Sequence, residues 1–334
     1  MKCRLEAWSV EGIWSWNTNQ IDVRQRFHLL FTILLLVSGL AEAEPATPSQ
    51  VYQLSVLLQN ELELLREKTG GPRNIQPELP VSNVAPREVF FQAQTACQKA
   101  DRLAFQYLRV RKPEPGVPSD DIVPQDVYEV VEATLQRIRL VKKELGISQS
   151  GVKPERDPSK TSSDVYKSIV QSNRQLNLLL EKQYAPADVF EKVTKCVLIV
   201  GRLLSRFPGA TRIPDPPPFE DGKRPADVYA GLLECYGILD RVTKDLEIEI
   251  LDLDVKALDY QNAAPSDVYD IASLLASELS YLYRRAPDLA PPPASYFPGR
   301  KAPSDVYQRV GLLQFQLGQL EELSRQNPGW WQDR

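Results

Sequence analysis

Histidine is almost missing from this chain of 334 residues, which holds one, His28. That residue lies in an apolar stretch read below as an export signal, so the processed chain is expected to have none. Without histidine there is no Ser–His–Asp or Cys–His machinery, no histidine general base and no histidine metal ligand. No glycine-rich phosphate loop occurs, and no pair of carboxylates stands out from ordinary helix-surface charge. The reading is therefore a non-enzyme with no cofactor. Cysteine is scarce too, with Cys3, Cys97, Cys196 and Cys235. Their spacing is too wide for a zinc site, and none directly follows the export segment as a lipid-attachment cysteine would. Forty Lys and Arg stand against 44 Asp and Glu, a net charge of −4. No long basic run is present, which argues against nucleic acid as a partner.

What the chain does have is a motif repeated eight times. It reads Pro48-Ser49-Gln50-Val51-Tyr52, Pro86-Arg87-Glu88-Val89-Phe90, Pro124-Gln125-Asp126-Val127-Tyr128 and Ser162-Ser163-Asp164-Val165-Tyr166. It continues as Pro186-Ala187-Asp188-Val189-Phe190, Pro225-Ala226-Asp227-Val228-Tyr229, Pro265-Ser266-Asp267-Val268-Tyr269 and Pro303-Ser304-Asp305-Val306-Tyr307. Successive valines lie 38, 38, 38, 24, 39, 40 and 38 residues apart. A fixed period marks repeat architecture, and the one short step divides the array into two sets of four. The period invites comparison with tetratricopeptide repeats, but those pack two short helices into about 34 residues with a different signature.

Each motif predicts a helix start. Proline suits the first helical position, where its missing N–H is no loss. The acid two residues later faces the positive end of the helix dipole and can reach free backbone N–H groups. Thr47 and Thr161 are the only good cap residues before the motifs, so the acid must supply most of the capping. Beyond each valine, apolar residues recur in alternating steps of four and three, as in Val306, Val310, Leu313, Leu317, Leu320. Such a stripe buries one face in a bundle. The expected fold is all-α: eight long helices as two tandem four-helix modules, over 44–184 and 185–327, with a tail at 328–334.

The connectors are rich in proline, as in Pro214-Asp215-Pro216-Pro217-Pro218 and Pro291-Pro292-Pro293. At about 3 Å per residue, an extended connector of roughly 14 residues can run back along a whole helix. Two arrangements follow: parallel helices laced by extended straps, or an up-and-down bundle with oversized loops. The short step suits a tight hairpin or two nearly collinear helices. The stretch 246–255 alternates apolar and acidic residues and is the one strand-like segment.

At the front, Arg24 and Arg26 precede the apolar run 27–40, and Ala41-Glu42-Ala43 suits a cleavage site. Residues 23–43 thus read as a secretory signal peptide. The run is shorter than the roughly 20 residues a membrane span needs, so no integral span is expected after cleavage. Residues 1–22 fit this layout poorly and are expected to be a mis-assigned extension, with translation starting at Val23. Sequencing the amino terminus of an unprocessed precursor tests this, and finding residues 1–22 would overturn it.

Several residues stand out against the repeat. Cys196 and Cys235 share one stripe position and would lie in one layer of parallel helices. They read as a disulfide or, more simply, as two free buried thiols. Ala93, Ala96 and Ala100 make the stripe of the second helix small, which allows either close helix approach or a ligand cavity flanked by Gln92, Gln94 and Gln98. Trp330 and Trp331 would either cover the last bundle or anchor a partner. The motif aromatics read as structural, each ring packing on the strap of the preceding repeat. The functional expectation is an exported, non-catalytic helical repeat protein of the cell envelope, periplasmic or secreted, with another envelope protein as partner. The alternative is a periplasmic small-molecule-binding bundle.

Overall fold

A computed structural model describes residues 45–118, 121–180, 184–258, 260–286, 289–292 and 299–331. The proposed extension at 1–22, the signal peptide at 23–43, Cys3 and His28 lie outside the described residues. From Pro45 on, the chain forms one compact unit. Its helices are α1 (Pro48–Thr69), α2 (Pro86–Leu108), α3 (Pro124–Glu144), α4 (Ser162–Leu179), α5 (Pro186–Leu204), α6 (Pro225–Asp245), α7 (Pro265–Arg285) and α8 (Pro303–Gln326). Every motif is a helix start, and the class is all-α. In all eight, the N-cap backbone N–H donates to the side chain of the motif's third residue. Thr47 N donates to Gln50 Oε1 at 2.7 Å and Ala85 N to Glu88 Oε2 at 2.6 Å; six Asp do the same at 2.7–2.8 Å.

The helices pack as two rings of four. In the first, α1 and α2 each contact α3 and α4; in the second, α5 and α6 each contact α7 and α8. Consecutive helices α1 and α2 therefore face one another across the ring, as do α5 and α6. All eight motif valines are at most 2% exposed and join one core cluster. Burying a side chain of this kind contributes roughly 1.5–3 kcal/mol.

Within each ring the helices run parallel, so the strap arrangement is the one adopted. In the second ring the motif prolines and valines of all four helices meet around one small apolar mouth. In the first, Ser49 Oγ of α1 accepts from Arg156 Nε just ahead of α4, and Gln125 Oε1 of α3 accepts from Ala46 N just ahead of α1. Likewise, Ser163 Oγ of α4 accepts from Val84 N just ahead of α2. The straps descend their neighbours in order. Asn60 Nδ2 donates to Val152 O, Gln53 Nε2 to Pro154 O and Arg156 Nε to Ser49 Oγ, which traces 152–156 down α1 toward its start. In the second ring Gln316 Nε2 donates to Arg212 O, Gln308 Nε2 to Pro217 O, and Ser304 Oγ accepts from Lys223 N. An extended proline-rich strand has no internal hydrogen bonds, so side-chain amides from the helices supply the partners.

The two rings point in opposite directions. Lys99, midway along α2, lies 2.6 Å from Asp270 in the first turns of α7, while Arg87 at the start of α2 lies 3.9 Å from Glu278 far along α7. The short step between α4 and α5 thus reverses the chain. The alternating stretch 246–255 does form a strand, though only Asp252–Leu253 (β2). It pairs antiparallel with Val81–Ser82 (β1) of the strap before α2, which sequence patterning did not single out.

Candidate functional site

The motif aromatics are structural, but not in the way expected. Five of them meet a residue just ahead of the next helix around the ring, not the preceding repeat. Phe190 of α5 lies under Lys301, Tyr307 of α8 under Lys223, Tyr229 of α6 stacks on Tyr260, and Tyr269 of α7 stacks on Tyr184. Those four contacts close a circuit through α5, α8, α6 and α7. Tyr52 of α1 under Lys160 follows the same rule in the first ring. The reason is topological: sequence neighbours sit diagonally, so the nearest strap belongs to the ring neighbour.

Three further expectations resolve. Cys196 and Cys235 are free, buried thiols and form no disulfide; Cys97 is also free. Burial pushes the Cys196 thiol up to about 12 and raises Cys235 and Cys97 as well. Ala93, Ala96 and Ala100 lie fully buried in the core where α2 meets α3 and α4. None of the three lines the clefts described below. Trp330 is 6% exposed and packs on Phe207 just past α5, with ring centroids 5.0 Å apart. It covers an end of the second ring, and Trp331 is half-buried beside it.

The seam between the rings, where α2 meets α7, gathers the charged groups that the repeat does not explain. Glu278 is 2% exposed and neither of its carboxylate oxygens is hydrogen-bonded. Arg87 forms an ion pair with Glu88 and approaches Glu278 to 3.9 Å. Loss of water is the main reason Glu88 is pushed up to about 7, against the opposing pull of Arg87; Glu278 rises well above the usual carboxylate range for the same reason, with Glu88 adding to it. Farther along, Lys99 is 0% exposed and holds Asp270, which also accepts from Asn177 Nδ2 at 3.3 Å. Arg87 and Arg285 both lie over the ring of Tyr281, at 4.2 and 5.1 Å.

Two open clefts flank this seam and share Arg284. One, of about 590 Å³, is edged by Arg87, Arg285, Tyr281 and Asp121. The other, of about 430 Å³, lies between α2, α5 and α7. Among the described residues its charged lining is Lys192, Lys195 and Arg284, with no carboxylate; Gln94, Thr95, Gln98 and three serines of α7 supply the neutral polar groups. Burial is the first cause lowering the pKa of Lys192, and of Lys195, where the Lys192 charge adds to it. Sequence reasoning marked Gln94 and Gln98 as lining, but for a cavity on the wrong face of α2. The lysines and Arg284 carried no signal, since about 90 residues separate them. Among the described residues no cluster of His, Cys, Asp and Glu is suited to a metal ion, and no helix is long and apolar enough to cross a membrane. No protein-family model, curated protein or solved structure matches the chain.

Proposed function

We propose that the chain is an exported, non-catalytic helical repeat protein of the cell envelope that acts as a structural or protein-interaction module. The observation that carries this reading is the use of the repeat itself. Its valines fill the core, its third residues cap the helices, and its aromatics and second residues clasp neighbouring straps. A repeat serving catalysis or one ligand would need its chemistry at one place; this one is spent in every copy on building the fold. The signal-like segment at 23–43 and the absence of histidine beyond it support the same reading. The test is fractionation of cells carrying the tagged chain, followed by proximity labelling. The expected result is a processed chain in the envelope fraction with one envelope protein reproducibly labelled. A chain confined to the cytosol, or labelling no different from an unrelated exported protein, would overturn it.

A further inference from the structure

We propose that the cleft between α2, α5 and α7 binds a small organic anion carrying two or more negative charges, a phosphate ester or a polycarboxylate. This goes beyond the interaction reading and does not depend on it, because the cleft is complete within one chain.

Three cations converge there from two helices of the second ring, Lys192 and Lys195 of α5 and Arg284 of α7. None of them has an ion-pair partner within 4.0 Å among the described residues. Lys192 Nζ instead lies 5.2 Å from the Tyr269 ring, and the Arg284 guanidinium lies 5.5 Å from the Phe91 ring and reaches only the carbonyl of Pro118, at 3.5 Å. In a chain of net charge −4, an unpaired cationic group of three is costly to assemble, since partial desolvation and mutual repulsion both oppose it. The acids nearby are otherwise engaged or stand outside the lining. Glu114 acts on Lys192 from the strap and is held by Gln98 Nε2 at 3.0 Å; Asp270 is taken by Lys99 and Asn177; Glu191 acts on Lys192 but does not line the cleft.

Ser273, Ser277 and Ser280 of α7 also line the cleft. Ser277 and Ser280 donate to Leu274 O and Ala276 O, which leaves their oxygens as acceptors for ligand hydroxyls. The volume of about 430 Å³ lies within the range of small-molecule sites.

The test is titration calorimetry of the full chain with inorganic pyrophosphate and with citrate in low-salt buffer at pH 7, with sodium chloride at matched ionic strength as control. The expected result is saturable binding of one anion per chain and a raised unfolding temperature. Lys195→Gln, at an exposed position, should weaken binding about tenfold, and Lys192→Gln with Lys195→Gln should abolish it. Lys68→Gln, remote on α1, should change nothing. Stronger binding of pyrophosphate than citrate assigns the phosphate class; the reverse assigns the polycarboxylate. No saturable binding of either anion at 10 mM (on the order of a weak, roughly 3 kcal/mol interaction), or binding unaltered in Lys195→Gln, would overturn the proposal. Neither result would touch the envelope-localisation test.

Discussion

At the scale of single residues, one position of the repeat has two kinds of environment. The acid at the third motif position usually sits near the surface and accepts from the N-cap N–H, as Asp164 does, whose carboxyl is held low chiefly by the Thr161 backbone N–H. Glu88 keeps that cap but is buried at the seam beside Glu278, and both carboxyls are raised by loss of water. The sign follows directly. A carboxyl whose folded pKa lies above its unfolded value favours the fold fully below the unfolded pKa, near 4.5, and loses that contribution as pH rises through the folded value, about 7 for Glu88 and well above the ordinary carboxylate range for Glu278. Glu278→Gln keeps the shape and removes the proton to be lost. It should be close to neutral at pH 4.5 and should stabilise the protein by roughly 1–3 kcal/mol at pH 8, read by urea unfolding at both values. Equal effects at the two pH values would refute this account of the pair. The Lys99–Asp270 pair behaves differently, because its ammonium and carboxylate meet at 2.6 Å. Asp270→Ala leaves the buried Lys99 uncompensated and should cost about 3–5 kcal/mol. Adding Lys99→Met should recover most of that loss, which a double-mutant cycle would measure.

At the scale of the element, helix starts and buried stripes were legible because they are local. Proline, acid and valine at fixed offsets say where a helix begins and which face it buries, and all eight agree with the structure. The straps were legible as extended segments, but their partners were not. Gln53, Gln308 and Gln316 look like ordinary helix-surface amides, and only folding shows them holding proline-strap carbonyls. The caps are open to test: Asp305→Ala removes the acceptor for Ala302 N, 2.8 Å away, and should cost about 1 kcal/mol in thermal unfolding. A less obvious case is Gly231 in α6. Alanine ordinarily stabilises a helix relative to glycine by about 1 kcal/mol. Here a Cβ would come 2.9 Å from Val310 Cγ1 of α8, where the two helices pack. Gly231→Ala should therefore destabilise, by roughly 1–3 kcal/mol, and a gain in stability would show that α6 and α8 are less closely apposed than described.

At the scale of the whole molecule, the arrangement answers an electrostatic difficulty. Four parallel helices bring four positive dipole ends together, each worth about half an elementary charge. In the second ring Asp188, Asp227, Asp267 and Asp305 stand at that end, one per helix, and each is bound to a backbone N–H. This explains why the acid recurs even where a better N-cap residue would suffice for a lone helix. The rings then oppose one another, so their remaining dipoles largely cancel. None of this could be read from periodicity, because a stripe of apolar residues is the same whichever way its neighbours run. The ring order, the seam and the cationic cleft all depend on contacts between distant segments, as between Lys99 and Asp270. The short step from α4 to α5 was the one sequence feature that left room for a reversal, and it suited collinear helices equally. Helix direction is accordingly the property most worth measuring. With the native cysteines replaced, spin labels at the exposed N-cap positions Ala264 and Ala302 report on α7 and α8, which face one another across the second ring. In parallel helices both labels sit at one end, and the separation should fall well below the ~30 Å that a 20-residue helix spans. An up-and-down bundle would place them at opposite ends, at or beyond that length, and such a distance would remove the straps, the shared capping end and the aromatic circuit together.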